Sequence, residues 1–122
     1  MNKWQAQYAF WSGFGIPAYD AASVPTGENA PPFPYITYTG MDALFDGDVI
    51  ADASIWTREF SWNNANALSD TIRNELKNGG KVIPYDGGII WITANEPFAQ
   101  NMGDPSDDLI KRKLLSVTLH FC

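Results

Sequence analysis

Five of the eight prolines, Pro17, Pro25, Pro31, Pro32 and Pro34, fall between positions 17 and 34. Proline fixes its own φ and has no N–H to donate, so a stretch this dense can be neither helix nor central strand. Residues 20–34 are therefore expected to form an extended, stiff arm. A connection of that length without regular structure is unusual inside a compact domain and is commonly functional or disordered. Neither flank is large enough to fold alone, so the arm is read as an ordered part of one domain, residues 1–122.

Around the arm, hydrophobic periodicity sets the elements. Residues 2–12 predict a short amphipathic helix capped by Asn2, with Trp4, Tyr8 and Trp11 on one face and Gly13, Gly15 and Pro17 ending it. Ile16–Tyr19 can form a short strand, and Tyr35–Thr39 is a strand by its aromatic and β-branched content. Val49–Phe60 predicts a longer strand, with Val49, Ala51, Ala53, Ile55 and Thr57 inward and Trp56 on the wetter face. A second helix, capped by Asn63 or Asn64, extends to about Asn78, carries Ala65, Leu68, Ile72 and Leu76 at helical spacing, and stops at Gly79-Gly80. Lys81–Tyr85 and Ile89–Ala94 form a hairpin through Asp86-Gly87-Gly88, with Pro84 marking an edge or bulged strand. Glu96–Asp108 is expected to be a polar loop whose last residues, Asp104–Asp108, make a turn, and Leu109–Phe121 a closing strand with Leu115, Val117, Leu119 and Phe121 inward. The fold class is α+β: an antiparallel or mixed sheet with two helices packed on one face.

Composition excludes several kinds of function. The formal charge of −6 repels nucleic-acid phosphate, which argues against specific nucleic-acid binding. The acidity is concentrated in residues 1–60, which carry seven acids against two bases. The longest strongly apolar run, Ile89–Ile92, is far short of a membrane span, no signal-peptide pattern is present, and no Asn-x-Ser/Thr acceptor signals secretion. The single cysteine, Cys122, has no partner for an internal disulfide.

Catalytic chemistry finds little to work with. The one histidine, His120, lies on the terminal strand as a partly exposed residue, and no Gly-x-Ser-x-Gly turn is present to supply a nucleophile. Zinc lacks Cys and His ligands. Asp42, Asp46, Asp48 and Asp52 hint at calcium, but no glutamate closes the set, and a solvated acidic turn is the plainer reading. Paired carboxylates for glycoside cleavage cannot be placed across a cleft by spacing alone, and Gly13-Phe14-Gly15 follows a helix, the wrong context for a phosphate cradle. No catalytic residue, cofactor or metal is expected. Trp56, Trp62 and Trp91 would suit stacking on sugar rings, although such residues also serve cores and subunit interfaces, and Trp91, inside an apolar hairpin arm, reads as core.

The order of elements carries a resemblance. A short helix leads through a Pro-rich segment into Phe33-Pro34-Tyr35-Ile36-Thr37-Tyr38. An acidic turn follows, then a strand ending Ile55-Trp56-Thr57-Arg58, a helix, a hairpin, and a late strand entered through Ile110-Lys111-Arg112-Lys113-Leu114. Over nearly the whole chain this resembles the tail-terminator, or tail-completion, proteins of long-tailed bacteriophages. The resemblance implies a virion protein that assembles in the host cytoplasm into a ring, typically a hexamer. Such a ring seats on the tube of major tail protein, ends its polymerisation and meets the head completion or stopper protein. DNA passes through the ring, so Asp42, Asp46 and Asp48 are candidates for an acidic channel wall that lets it slide. Trp56, Arg58, Phe60 and Trp62, at the corner between strand and helix, are the candidate subunit contacts. The rival readings are a small carbohydrate- or ligand-binding module, or another phage neck or baseplate component.

Overall fold

A computed structural model describes all 122 residues. The first helix, α1, spans Lys3–Trp11. Its start is closed by a reciprocal pair: Asn2 Oδ1 accepts the Gln5 N–H at 2.8 Å, and Gln5 Oε1 accepts the Asn2 N–H at 2.9 Å. A short 3₁₀ turn, Ser12–Phe14, then ends at Gly15, whose φ of +86° suits glycine. The aromatic stripe is split. Trp11 is buried with Ala6, Gln7 and Phe10, whereas Trp4 and Tyr8 stay half exposed. The inward face is centred on Gln7 and Phe10, roughly a third of a turn away from Trp4 and Tyr8, and Trp11 sits at its edge.

Six strands follow: β1 (Ala18–Asp20), β2 (Tyr35–Tyr38), β3 (Asp48–Arg58), β4 (Lys81–Tyr85), β5 (Gly88–Gly103) and β6 (Ile110–Phe121). A second helix, α2 (Asn63–Leu76), lies between β3 and β4. The sheet order is β1-β2-β3-β6-β5-β4, with β1 parallel to β2 and every other pair antiparallel. It is a mixed sheet in an α+β fold. Pro84 lies on the edge strand β4, where a missing N–H costs no ladder bond. The arm over residues 20–34 is extended apart from two 3₁₀ turns, Ala21–Ser23 and Gly27–Asn29.

β3 and β6 form the spine, paired from Asp48↔His120 to Arg58↔Ile110. Small residues on β3 face branched ones on β6, as in Ala53↔Leu115 and Ala51↔Val117, which leaves room for side chains from the covering layer. Both helices lie on this face: Ala6, Phe10 and Trp11 of α1 and Ile72 and Leu76 of α2 join one buried cluster with Ile36, Ile55 and Phe121. Trp11 stacks on Tyr38 with ring centroids 6.3 Å apart. The sheet is curled, and α1 touches both of its outermost strands, β1 and β4.

Two local expectations are corrected. α2 is not capped by Asn63 or Asn64. Instead the preceding turn supplies the acceptors: Ser61 Oγ takes the Asn63 N–H at 3.0 Å, and the Glu59 carboxylate takes both the backbone and side-chain N–H of Asn64 at 3.2 and 2.9 Å. Residues 96–108 are not one loop either. β5 continues to Gly103, with a shift in register between Ala94 and Ala99. Its polar side chains point away from the core, and the long strand β6 supplies the backbone partners that composition does not reveal. The true connection is the short turn before β6, where Asp104 Oδ1 accepts from Ser106 and Asp107 Oδ1 from the Leu109 N–H. No helix is long and apolar enough to cross a membrane.

Candidate assembly surface

The opposite face of the sheet carries no helix. Alternation along β3 and β6 places Ile50, Asp52, Ser54 and Trp56 there, opposite Thr118, Ser116, Leu114 and Arg112. Instead of a second core, cross-strand polar ties hold this surface. Trp56 Nε1 donates to Thr37 Oγ1 at 2.9 Å, and Arg112 Nε to Ser54 Oγ at 3.0 Å. Asn95 donates to Ser116 at 3.0 Å and accepts from Thr118 at 2.6 Å. Among these ties stand apolar side chains left in solvent: Ile50, Val82, Trp91 and Met102.

The four corner residues are treated very differently. Trp56 is not a free aromatic platform: its ring stacks with Tyr35 at 6.3 Å, and the Arg112 guanidinium lies 5.0 Å from the ring centroid. Arg58 Nε donates to Asp107 Oδ2 at 2.9 Å. Phe60 is 91% exposed, the most solvent-exposed of the large apolar side chains. Trp62 is half-buried, with Lys111 Nζ 5.9 Å from its ring centroid.

The acidic turn is also divided. Lys3 Nζ donates to Asp42 Oδ1 at 2.5 Å; this hydrogen bond holds the Asp42 carboxyl below the ordinary carboxylate range and raises the Lys3 ammonium above its own. Asp48 Oδ1 lies 2.8 Å from His120 Nδ1. Only Asp46 is left without a side-chain partner, on a backbone with φ of +65° that its N–H secures to Phe121 O at 2.7 Å. This residue is exposed at the tip of a loop that also presents Leu44 and Phe45.

His120 does more than alternation along a strand indicates. Its two ring nitrogens link Asp48 of β3 to Thr93 Oγ1 of β5, 3.0 Å from Nε2, and Trp91 packs against the ring at 4.5 Å. The result ties three strands on the helix-free face. Trp91 itself corrects the expectation of a core residue: it is 38% exposed and donates Nε1–H to Gly79 O at 2.6 Å. The three candidate sugar-stacking tryptophans do not form a row. Trp56 pairs with Arg112 and Trp91 with His120, eight steps apart on β6 and so roughly 27 Å from one another. No three His, Cys, Asp or Glu side chains are grouped closely enough to hold a metal ion.

Two clefts remain. One, of about 370 Å³, lies where Ile16, Phe33 and Pro34 meet Leu68 of α2, with Thr57 and Arg58 also in its wall. The Thr57 hydroxyl is buried there without a hydrogen-bond partner. The other, of about 400 Å³, lies beyond the end of α2 against Trp91 and Phe98.

No protein-family model matches the chain, and no curated protein matches it. A chain from the structure described as "Virion of native gene transfer agent (GTA) particle" superposes with a TM-score of 0.61. The two chains share a fold. The match covers 98% of this chain and 91% of the other at 16% identity, so helices, arm and sheet are included together.

Proposed function

We propose that this chain is a structural virion protein of a phage-like particle: a tail terminator that forms a ring at the end of the tail tube. The observation that carries this reading is the end-to-end match in fold to a chain of a gene transfer agent virion. The element order, which resembles that of tail terminators, points the same way. The ring, taken as a hexamer from that resemblance, contacts itself, the major tail tube protein and the head completion protein. It works without catalysis or cofactor, and DNA passes through it.

The surface suits such a role. A helix-free sheet face with exposed Ile50, Val82, Trp91 and Met102, and an edge strand β4 with an open outer side, offer two different surfaces to neighbours. Deleting the gene from a producing genome and imaging the particles tests the role. Tails of uncontrolled length, and heads without tails attached, are expected; tails of normal length joined to heads would rule out termination. Gold-labelled antibody against the chain should mark the junction between head and tail. Label at the distal tip would favour a baseplate component instead.

A further inference from the structure

The loop between β2 and β3 exposes two large apolar side chains side by side. Leu44 is 87% and Phe45 72% exposed, and Asp46 follows with an unpaired carboxylate. This tip is not a loose end. Asp46 N–H donates to Phe121 O at 2.7 Å, Phe121 N–H to Gly47 O at 2.9 Å, and Gly47 N–H to Leu44 O at 2.7 Å, so the backbone holds the apolar pair outward. Ordered apolar groups in water are unfavourable unless something covers them.

The cleft of about 370 Å³ has the matching character. Ile16, Phe33, Pro34, Ala67 and Leu68 make its apolar wall, with Glu59 and Asn64, bonded to each other, among the polar residues beside it. Arg58 lines the mouth. Its Nε is held by Asp107, and its two Nη groups have no partner within the chain. The knob and the cleft sit at opposite ends of β3: the knob precedes Asp48, and the cleft begins at Thr57. With about 3.3 Å per residue they are roughly 30 Å apart, too far to meet within one copy.

We infer that Leu44 and Phe45 of one copy insert into this cleft of a second copy, and that Asp46 of the first pairs with Arg58 of the second. The apolar knob meets the apolar wall of the cleft, and the one unpaired carboxylate of the turn meets a guanidinium whose two Nη groups are free, while the neighbouring Glu59 is already engaged by Asn64. The contact joins unlike surfaces head to tail, so each copy offers a knob on one side and a cleft on the other. Rings or open chains follow, according to the rotation between copies. This deepens the assembly reading, on which it rests.

Sedimentation velocity over a range of concentrations tests it with two variants. Leu44→Ser/Phe45→Ser removes the knob; Ala67→Trp fills the cleft from an exposed helix position. Unchanged far-UV dichroism and melting establish that each is folded. The wild type should grow beyond a dimer as concentration rises, and each variant alone should stay monomeric. An equimolar mixture should give a dimer of one copy of each and nothing larger, because only one intact knob–cleft pair exists between them. Asp46→Lys should weaken assembly by about tenfold or more. A wild type that remains monomeric throughout overturns the proposal, as does either variant assembling like the wild type. In the second case, label at the head–tail junction would still leave the virion role standing, because only the contact between copies would have failed.

Discussion

The side-chain amide of Gln7 grips the Met41 peptide from both sides: Nε2 donates to Met41 O at 2.8 Å, and Oε1 accepts the Met41 N–H at 2.9 Å. Gln7 is 1% exposed, and a further bond runs from Nε2 to Lys3 O at 3.2 Å. A polar residue at the centre of the inward face of α1 thus fastens the helix to the loop that leads into β3. Gln7→Leu keeps the bulk but leaves the Met41 N–H and C=O without these partners. A loss of about 2–4 kcal/mol is expected in urea unfolding. A loss below about 0.5 kcal/mol would mean that water reaches Met41.

Asp42 and Lys3 give a dependence on pH. The Asp42 carboxyl is depressed, first by its hydrogen bond from Lys3, so its contribution is present above the ordinary carboxylate value near pH ~4 and is lost as pH falls through the lower folded value. Lys3 is raised, so its share persists at lower pH and disappears as pH rises through its folded value, above the ordinary lysine range. Asp42→Asn should therefore melt lower than wild type at pH 7, and the gap should close on acidification. An equal gap at pH 7 and at pH ~2 would show that the carboxylate charge plays no part. Salt should narrow the gap, because the pair is exposed.

The two faces of the sheet should respond oppositely to truncation. Leu115, fully buried opposite Ala53, should cost about 2–5 kcal/mol as Leu115→Ala. Ile50, 71% exposed on the helix-free face, should cost at most about 0.5 kcal/mol in the monomer as Ile50→Ala. Denaturant midpoints at low protein concentration measure both. Similar losses at the two positions would contradict the burial of Leu115 and the exposure of Ile50.

Gly79 and Gly80 look equivalent in sequence and should not behave so. Both have positive φ, +87° and +89°. A Cβ at Gly79 meets nothing within 4 Å, whereas one at Gly80 would lie 2.3 Å from Ile92 O. Gly79→Ala should lose about 1 kcal/mol, from backbone conformation alone. Gly80→Ala should lose distinctly more, through displacement of β5, and equal melting temperatures for the two variants would refute the contrast.

Phe60 allows the proposed assembly to be tested apart from folding. At 91% exposure it contributes little to the free chain, so Phe60→Ser should leave thermal unfolding of the monomer unchanged within about 0.5 kcal/mol. Trp62→Ala, which also gives up contact with Lys111, should weaken assembly while the monomer stays folded. Incorporation of each variant into particles, scored by immunoblot of purified virions, is expected to fall. Normal incorporation of both would remove this corner from the set of contacts.

Much of this fold was legible in the residues. The alternation from Val49 to Thr57 and from Leu115 to Phe121, the spacing of Ala65, Ile72 and Leu76, and the Gly79-Gly80 stop each reflect one apolar side per element, and the structure buries those positions or packs them at its margin. What escaped were features set by distant partners. β5 extends to Gly103 because β6 lies beside it, not because Asn95, Glu96 or Gln100 favours a strand. Gln7 is buried because Met41 is there to receive it, and periodicity, which weighs side chains by polarity, places it outside. The tie from Asp48 through His120 to Thr93 joins three strands far apart in the chain. Of the corner residues, Arg58 and Phe60 stand out only once Trp56 is seen to be occupied by Tyr35 and Arg112.

Because α1 reaches from β1 to β4, it acts on the curled sheet as a string acts on a bow. The bend of the strands is then set by the length and bulk of nine residues, Lys3–Trp11, as well as by strand twist. Slimming Phe10 or Trp11 would slacken the string, and the outer strands would settle at a different bend before any strand came apart.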